Sequence, residues 1–202
     1  MNYSIEHHIK RNLYLSSTPR KKLLKNTLLV VHQGTVLIKL GKHEYAIQES
    51  KAFWLPSECL TSITTLPNSL VSQVDFSVRL TDVFPAQAGY IKLSPLFTAT
   101  ISKLKTEELS SSYKAVLMQV LREESLQVNP VLQLDKFSKM ITEWKANDKG
   151  AVTAELHLVL RLREAKKQLL SGTKKDKIIS TSFSDLGTDF DNLCESVFGE
   201  QL

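Results

Sequence analysis

Metal binding, nucleophilic attack and phosphate recognition each need particular side chains at particular spacings, and this sequence supplies mainly the third. Its five histidines are His7, His8, His32, His43 and His157. No second histidine and carboxylate stand at the spacing of a catalytic metal set, so no metal is expected. His7 and His8 read as a frayed amino-terminal pair, His32 and His43 as strand or turn residues, and His157 as a helix-face residue. Cys59 and Cys194 have no CxxC partner and sit among apolar neighbours, as small buried hydrophobes in a reducing compartment do. There is no Ser-His-Asp order with an elbow glycine and no glycine-rich phosphate loop. The expectation is a protein that is not an enzyme and carries no cofactor.

Cations that would hold phosphate are plentiful but unevenly placed. The net charge is +5, yet the chain up to Thr106 holds thirteen Lys and Arg against six acids, leaving thirteen against fifteen in the remainder. Within that second part Arg161, Arg163, Lys166, Lys167, Lys174, Lys175 and Lys177 face only Glu164 and Asp176, and everything after Lys177 is acidic or neutral. A polyanion partner is favoured where cations gather, not by the total. The basic run PRKKLLK, Pro19 to Lys25, reads as a solvated arm ahead of the first predicted strand.

Two hydrophobic periods must position these charges. From Thr27 to Leu80 short apolar and β-branched runs (TLLVVHQ, TVLIKL, EYAIQ, AFWLP, SITTL, LVSQVDFSV) are broken by turn residues, the pattern of an antiparallel barrel or sandwich. Gly34 and Gly41-Lys42 fall where tight hairpins are needed, and Pro56 and Pro67 end strands. From Thr106 the period turns helical. Leu109, Tyr113, Val116, Leu117, Val120 and Leu121 share one face, as do Leu156, Val159, Leu160, Leu162, Ala165 and Leu169, with Gly172 as a stop. No apolar run approaches the ~18 residues of a membrane span, and MNYSIEHHIKRN lacks the apolar core of a secretory signal. A cytoplasmic protein without membrane contact is expected.

The stretch from Leu160 to Gly199 resembles the end of the DNA-binding domain of AraC/XylS-type bacterial transcription regulators. The matching features are the linking-helix pattern from Leu160 to Leu170, the polar turn Ser171 to Asp176, Ile178 and Ile179, Phe183 to Asp185, Phe190, and the closing Phe198-Gly199. VVHQGTVLIKLGKHEYAIQESKAFWLP is similar to the cupin-like sensor barrel of such regulators. The resemblance implies an α+β protein: an amino-terminal antiparallel β-barrel over 1–105 for sensing and dimerisation, then an all-α helix-turn-helix domain over 106–202. It also implies double-stranded DNA as partner, a small-molecule effector, and a homodimer or a mixed dimer with a related regulator. The DNA-binding positions are then Lys136, Ser138, Lys139, Lys145, Arg163, Lys167, Lys174, Lys175 and Thr188, and the effector-lining positions Phe53, Trp54, Ile63 and Phe76.

The departures from the family pattern are concentrated in the last helix. Ser182 replaces the usual glycine before Phe183, and Asp191, Asn192, Glu195 and Ser196 occupy places where the family carries small polar and basic residues, with Asp189 just ahead. Lys and Arg contacts supply most sequence-independent affinity for duplex DNA, so carboxylates at these places oppose it. LDKFSKMITEWKANDKG would be the recognition helix of the first helix-turn-helix, with Leu134, Phe137, Met140 and Ile141 inward. Its partner helices would come from the segment holding SSYKAVLMQVLREE and Pro130, unless Tyr113 to Glu124 is instead a dimerisation helix. The resemblance puts first a transcription regulator that binds promoter DNA through its helical domain under control of a ligand or partner sensed by the barrel; the alternative is a regulator-like interaction protein without independent DNA binding that modulates a related regulator by mixed dimerisation.

Overall fold

The computed structural model describes residues 4–105, 108–148, 150, 152–184 and 189–202. One antiparallel sheet contains β1 (Ile5–Asn12), β4 (Lys25–Gln33), β7 (Ala52–Leu55), β9 (Ser69–Ser77) and β10 (Gly89–Ile91), in the order β1-β9-β4-β7-β10. The other contains β2 (Ser16–Ser17), β5 (Thr35–Leu40), β6 (His43–Gln48) and β8 (Leu60–Thr65), in the order β2-β8-β5-β6, with β3 (Lys21–Lys22) also on β8. The helices are α1 (Pro95–Leu104), α2 (Ser111–Leu126), α3 (Lys136–Glu143), α4 (Ala154–Leu170), α5 (Lys175–Ser182) and α6 (Phe190–Phe198).

Successive side chains of a strand point to opposite faces, and both faces of each sheet are covered here. Leu29, Val31, Phe53, Leu55 and Val71 of the first sheet meet Val36, Ile38, Tyr45 and Ile47 of the second. The alternate residues Leu28, Val30, Trp54, Val74 and Phe76 pack under Phe97 and Ile101 of α1 and Leu117 and Leu121 of α2. On the far side of the second sheet, Leu37, Ala46 and Leu66 share a core with Ile141 of α3, Leu160 and Leu162 of α4, and Phe190 of α6. The order of layers is helices, sheet, sheet, helices. This explains runs such as TLLVV and AFWL, which are apolar on both parities because both sides are buried.

The mixed α+β class and the antiparallel pairing agree with the sequence reading, whereas among the described residues no closed barrel is found: the pairing forms two separate sheets. Gly41-Lys42 makes the expected hairpin between β5 and β6. Gly34 turns a corner instead, carrying the chain from β4 in one sheet to β5 in the other. Its φ is 79°, and a Cβ there would lie 2.3 Å from Ser69 Oγ, so glycine is required on both counts. His7 and His8 are not frayed, since β1 pairs with β9 from Ile5↔Phe76 to Asn12↔Ser69.

The core crosses the 105/106 boundary. Leu15, in the connection after β1, donates its N–H to the Val197 carbonyl of α6 at 2.7 Å and belongs to the same apolar cluster as Phe183, Phe190 and Phe198. Phe183 and Phe190 meet edge to face with centroids 5.0 Å apart. Thr153 caps α4 by accepting from Leu156 N–H, and Gly172, at φ 90°, follows its end. Among the described residues no helix is long and apolar enough to cross a membrane.

Candidate functional site

The helix expected to read DNA first, α3, is used to finish a sheet. β6 is the edge of its sheet, and an edge strand presents unpaired backbone groups that must be satisfied. Ser138 and Thr142, one turn apart, do this: Ser138 Oγ accepts from Ala46 N–H and Thr142 Oγ1 from Glu44 N–H, each at 2.9 Å. Ser138 Oγ also lies 2.9 Å from the Tyr90 hydroxyl, which donates to the Ala46 carbonyl at 3.0 Å. Burial, the largest cause, pushes the Tyr90 phenol up to about 12, so it stays a neutral donor. Asp135 starts the helix by accepting from Ser138 N–H. Burial works against its charge, yet the bonds from Lys51 and Ser138 hold its carboxyl below the usual range.

Two of the positions expected to bind DNA are interior in this fold. Ser138 is wholly buried, with its hydroxyl committed to β6 and Tyr90. Arg163 is buried as well, donating to both carboxylate oxygens of Glu44 at 2.6 and 3.2 Å. Its place three and four residues after Leu160 and Val159 puts it on the inward face of α4, a signal already visible in the helical period. Lys175 is half-buried and pairs with Asp191 at 2.5 Å and with the Leu202 carbonyl at 2.8 Å. Lys167 is exposed and bonds Glu164 at 2.8 Å. Lys136, Lys139, Lys145 and Lys174 are exposed, and Thr188 lies outside the described residues.

The first helix-turn-helix does not assemble from the segments expected to build it. α2 packs beside α1 over the first sheet while α3 packs on β6 of the second. The connection between them passes the β10 edge, where Val131 and Tyr90 exchange backbone hydrogen bonds of 2.8 and 3.0 Å. On α6 the apolar side (Phe190, Cys194, Val197, Phe198) is buried, and Asp189, Asn192, Glu195 and Ser196 are exposed. Burial first, then the Asp191 charge, pushes the Cys194 thiol up to about 11, so it stays protonated and unreactive.

The four residues expected to line an effector site, Phe53, Trp54, Ile63 and Phe76, sit within or against the apolar cores. Phe53, Trp54 and Phe76 have no exposed surface. Phe53 fills the space between the sheets against Tyr45 and Tyr90. Trp54 stacks under the helices with Phe76 and Phe84, its indole N–H donating to the Pro85 carbonyl at 2.8 Å. Ile63 packs against the edge of the inter-sheet core. None of the four lines a cleft of about 640 Å³ that lies between α1, the ends of β4, β7 and β10, and the start of α3. Its floor includes Val30, Ala52, Ile91 and Ile101; Lys51, Lys92, Lys105, His32 and Asp135 line it as well. Sequence spacing hides this convergence because the lysines come from three separate elements.

One further cluster escaped the sequence reading. Ligand atoms of Glu6, His8 and Asp75 lie within 4.8 Å of one another, brought together where β1 pairs with β9. A cation already occupies the Glu6 side of the group: Lys25 Nζ sits 2.8 Å from its carboxylate. Asp75 accepts from Thr27 Oγ1 at 2.7 Å and from Gln73 Nε2. These partners satisfy both carboxylates without a metal.

No protein-family model matches this chain, and no curated protein does. Among solved structures, it is similar to an apo variant of ToxT from Vibrio cholerae, at 12% identity over 98% of this chain and 90% of that one, with a TM-score of 0.45. A second ToxT structure gives 14% identity, 98% and 96% coverage, and a TM-score of 0.40. A cupin superfamily protein from Desulfitobacterium hafniense matches at 12% identity over 38% of this chain and 71% of that one, with a TM-score of 0.35. Likeness at this level assigns no activity.

Proposed function

We propose that the protein works in transcription control as a regulator-like interaction protein of AraC/XylS type. It pairs with a second copy or a related regulator and does not hold duplex DNA on its own. The reading rests on the sequence resemblance from Leu160 to Gly199 and, above all, on one observation: the exposed side of α6 carries Asp189 and Glu195 and no cation. Carboxylates facing a phosphate row oppose docking. Two further supports are the burial of Ser138 and Arg163 and the separation of α2 from α3. Under this reading no residue has a catalytic role.

A second reading, direct DNA binding, is favoured by one observation. Lys136, Lys139 and Lys145 are exposed along and just beyond α3, enough for a few phosphate contacts. Neutralising Asp189, Asp191 and Glu195 together (to Asn, Asn and Gln) separates the two. Sedimentation with a full-length AraC/XylS-type regulator should show mixed dimers that the triple variant forms less readily. Retention of duplex DNA by the native chain, strengthened in the triple variant, would overturn the interaction reading.

A further inference from the structure

We infer that the cleft beside α1 binds a small phosphate ester, a dianion carried on an apolar body. Lys51, Lys92 and Lys105 line it from the turn before β7, the end of β10 and the end of α1, and His32 joins them from β4. Among the described residues one carboxylate, Asp135, stands against the three lysines, and it is already engaged: Lys51 Nζ lies 2.7 Å from its Oδ2. Among the described residues neither Lys92 nor Lys105 forms an ion pair. A concave site with several cations and a single neutralised acid favours a ligand with more than one negative charge. The apolar floor of Val30, Ala52, Ile91 and Ile101 and the volume of about 640 Å³ call for a body beyond the phosphate itself.

The charge of Lys105 is felt behind the cleft wall. His32 Nε2 and His7 Nε2 converge on the buried hydroxyl of Ser72, at 2.8 and 3.2 Å. Burial and then the Lys105 ammonium hold His32 below its ordinary range; burial and then the Lys114 ammonium do the same for His7. No carboxylate enters the causes for either histidine.

The site also has a route to the helical layer. Asp135 is the N-cap of α3, so a phosphate that draws Lys51 toward the cleft loosens the link between β7 and that helix. This inference rests on reading the sandwich as a sensor. A failed ligand titration removes the site and leaves the DNA-retention test untouched, so the two can fail separately.

The test is calorimetric titration of the full chain with three probes that share one body: 1-naphthyl phosphate, 1-naphthalenesulfonate and 1-naphthol. The phosphate should bind about fivefold or more tighter than the sulfonate, and the sulfonate tighter than the alcohol. Lys92→Gln and Lys105→Gln should each weaken phosphate binding about two- to fivefold, the scale of a partly exposed charge pair. Asp135→Asn keeps a capping side chain and removes the competitor for Lys51, so it should tighten binding. Inorganic phosphate should displace the probe only at much higher concentration. Equal affinity for the three probes, no binding of the phosphate, or indifference to both lysine changes would overturn the site. Displacement by inorganic phosphate at matching concentration would overturn the ester class.

Discussion

Glu44→Ala probes the junction on which the helical layer is seated. In the native fold the Glu44 carboxylate takes both hydrogen bonds from Arg163, and the two side chains are only 9% and 8% exposed. Removing the carboxylate leaves the buried guanidinium with the more exposed Glu164 carboxylate, 3.4 Å from its Nε, as its remaining partner. Breaking a buried pair in this way costs about 3–5 kcal/mol, because the remaining ion keeps its desolvation penalty and loses its buried, doubly hydrogen-bonded partner. That is a large part of the ~5–15 kcal/mol by which a domain is normally stable. The backbone bond from Glu44 N–H to Thr142 does not depend on the side chain, so β6 and α3 should stay in register. Replacing both partners, Glu44→Leu with Arg163→Met, should return stability to within about 2 kcal/mol of native or exceed it, since no ion is left to bury. Urea unfolding followed by circular dichroism reads both. A loss below about 1 kcal/mol for the single change would refute the reasoning, since it would mean that Arg163 reaches water when its partner is removed.

Phe190→Ala removes an aromatic ring that is 2% exposed and packs on Phe183, and should cost about 3–5 kcal/mol by the cavity it leaves; an unchanged melting temperature would contradict the placement of α6. His7 sets a pH dependence: its imidazole titrates near 6.5 when unfolded but only at about 4 in the fold, chiefly through burial. Below the unfolded value the unfolded chain takes up a proton that the native state refuses, so stability should be full above about pH 6.5 and fall as pH drops toward 4. His7→Gln should flatten that slope in unfolding curves measured at several pH values, and an unaltered slope would place the titration elsewhere.

Much of this architecture is legible in the sequence because period and punctuation coincide. The runs TVLIKL and EYAIQ fall on β5 and β6, Gly41-Lys42 on their hairpin, and the stripe from Leu156 to Leu169 on the buried face of α4. What escaped depends on contacts distant in sequence. Alternation within TLLVV and AFWL shows no polar face, so it does not tell which side meets the second sheet and which meets α1 and α2; Phe53 and Trp54 therefore looked equally able to line a cavity. β1 was hidden because His7, His8, Lys10 and Arg11 are polar residues on an edge strand, paired with β9 residues about sixty positions later. Ser138 looked like a surface serine on a basic helix, and only the unpaired edge of β6 makes it interior. The cleft lysines come from three separate elements and have no local motif.

The central proposal, that this chain does not hold duplex DNA on its own, is tested most directly by selecting binders for the native protein from a pool of duplexes with randomised sequence and measuring affinity across a salt series. The account predicts no enriched sequence and affinity no tighter than the nonspecific range, ~10⁻⁴ to 10⁻⁶ M near physiological salt. Because α6 offers no cation to the phosphates, the dependence on salt should also be shallow. An enriched sequence bound at nanomolar affinity, with a steep loss on raising salt, would contradict it.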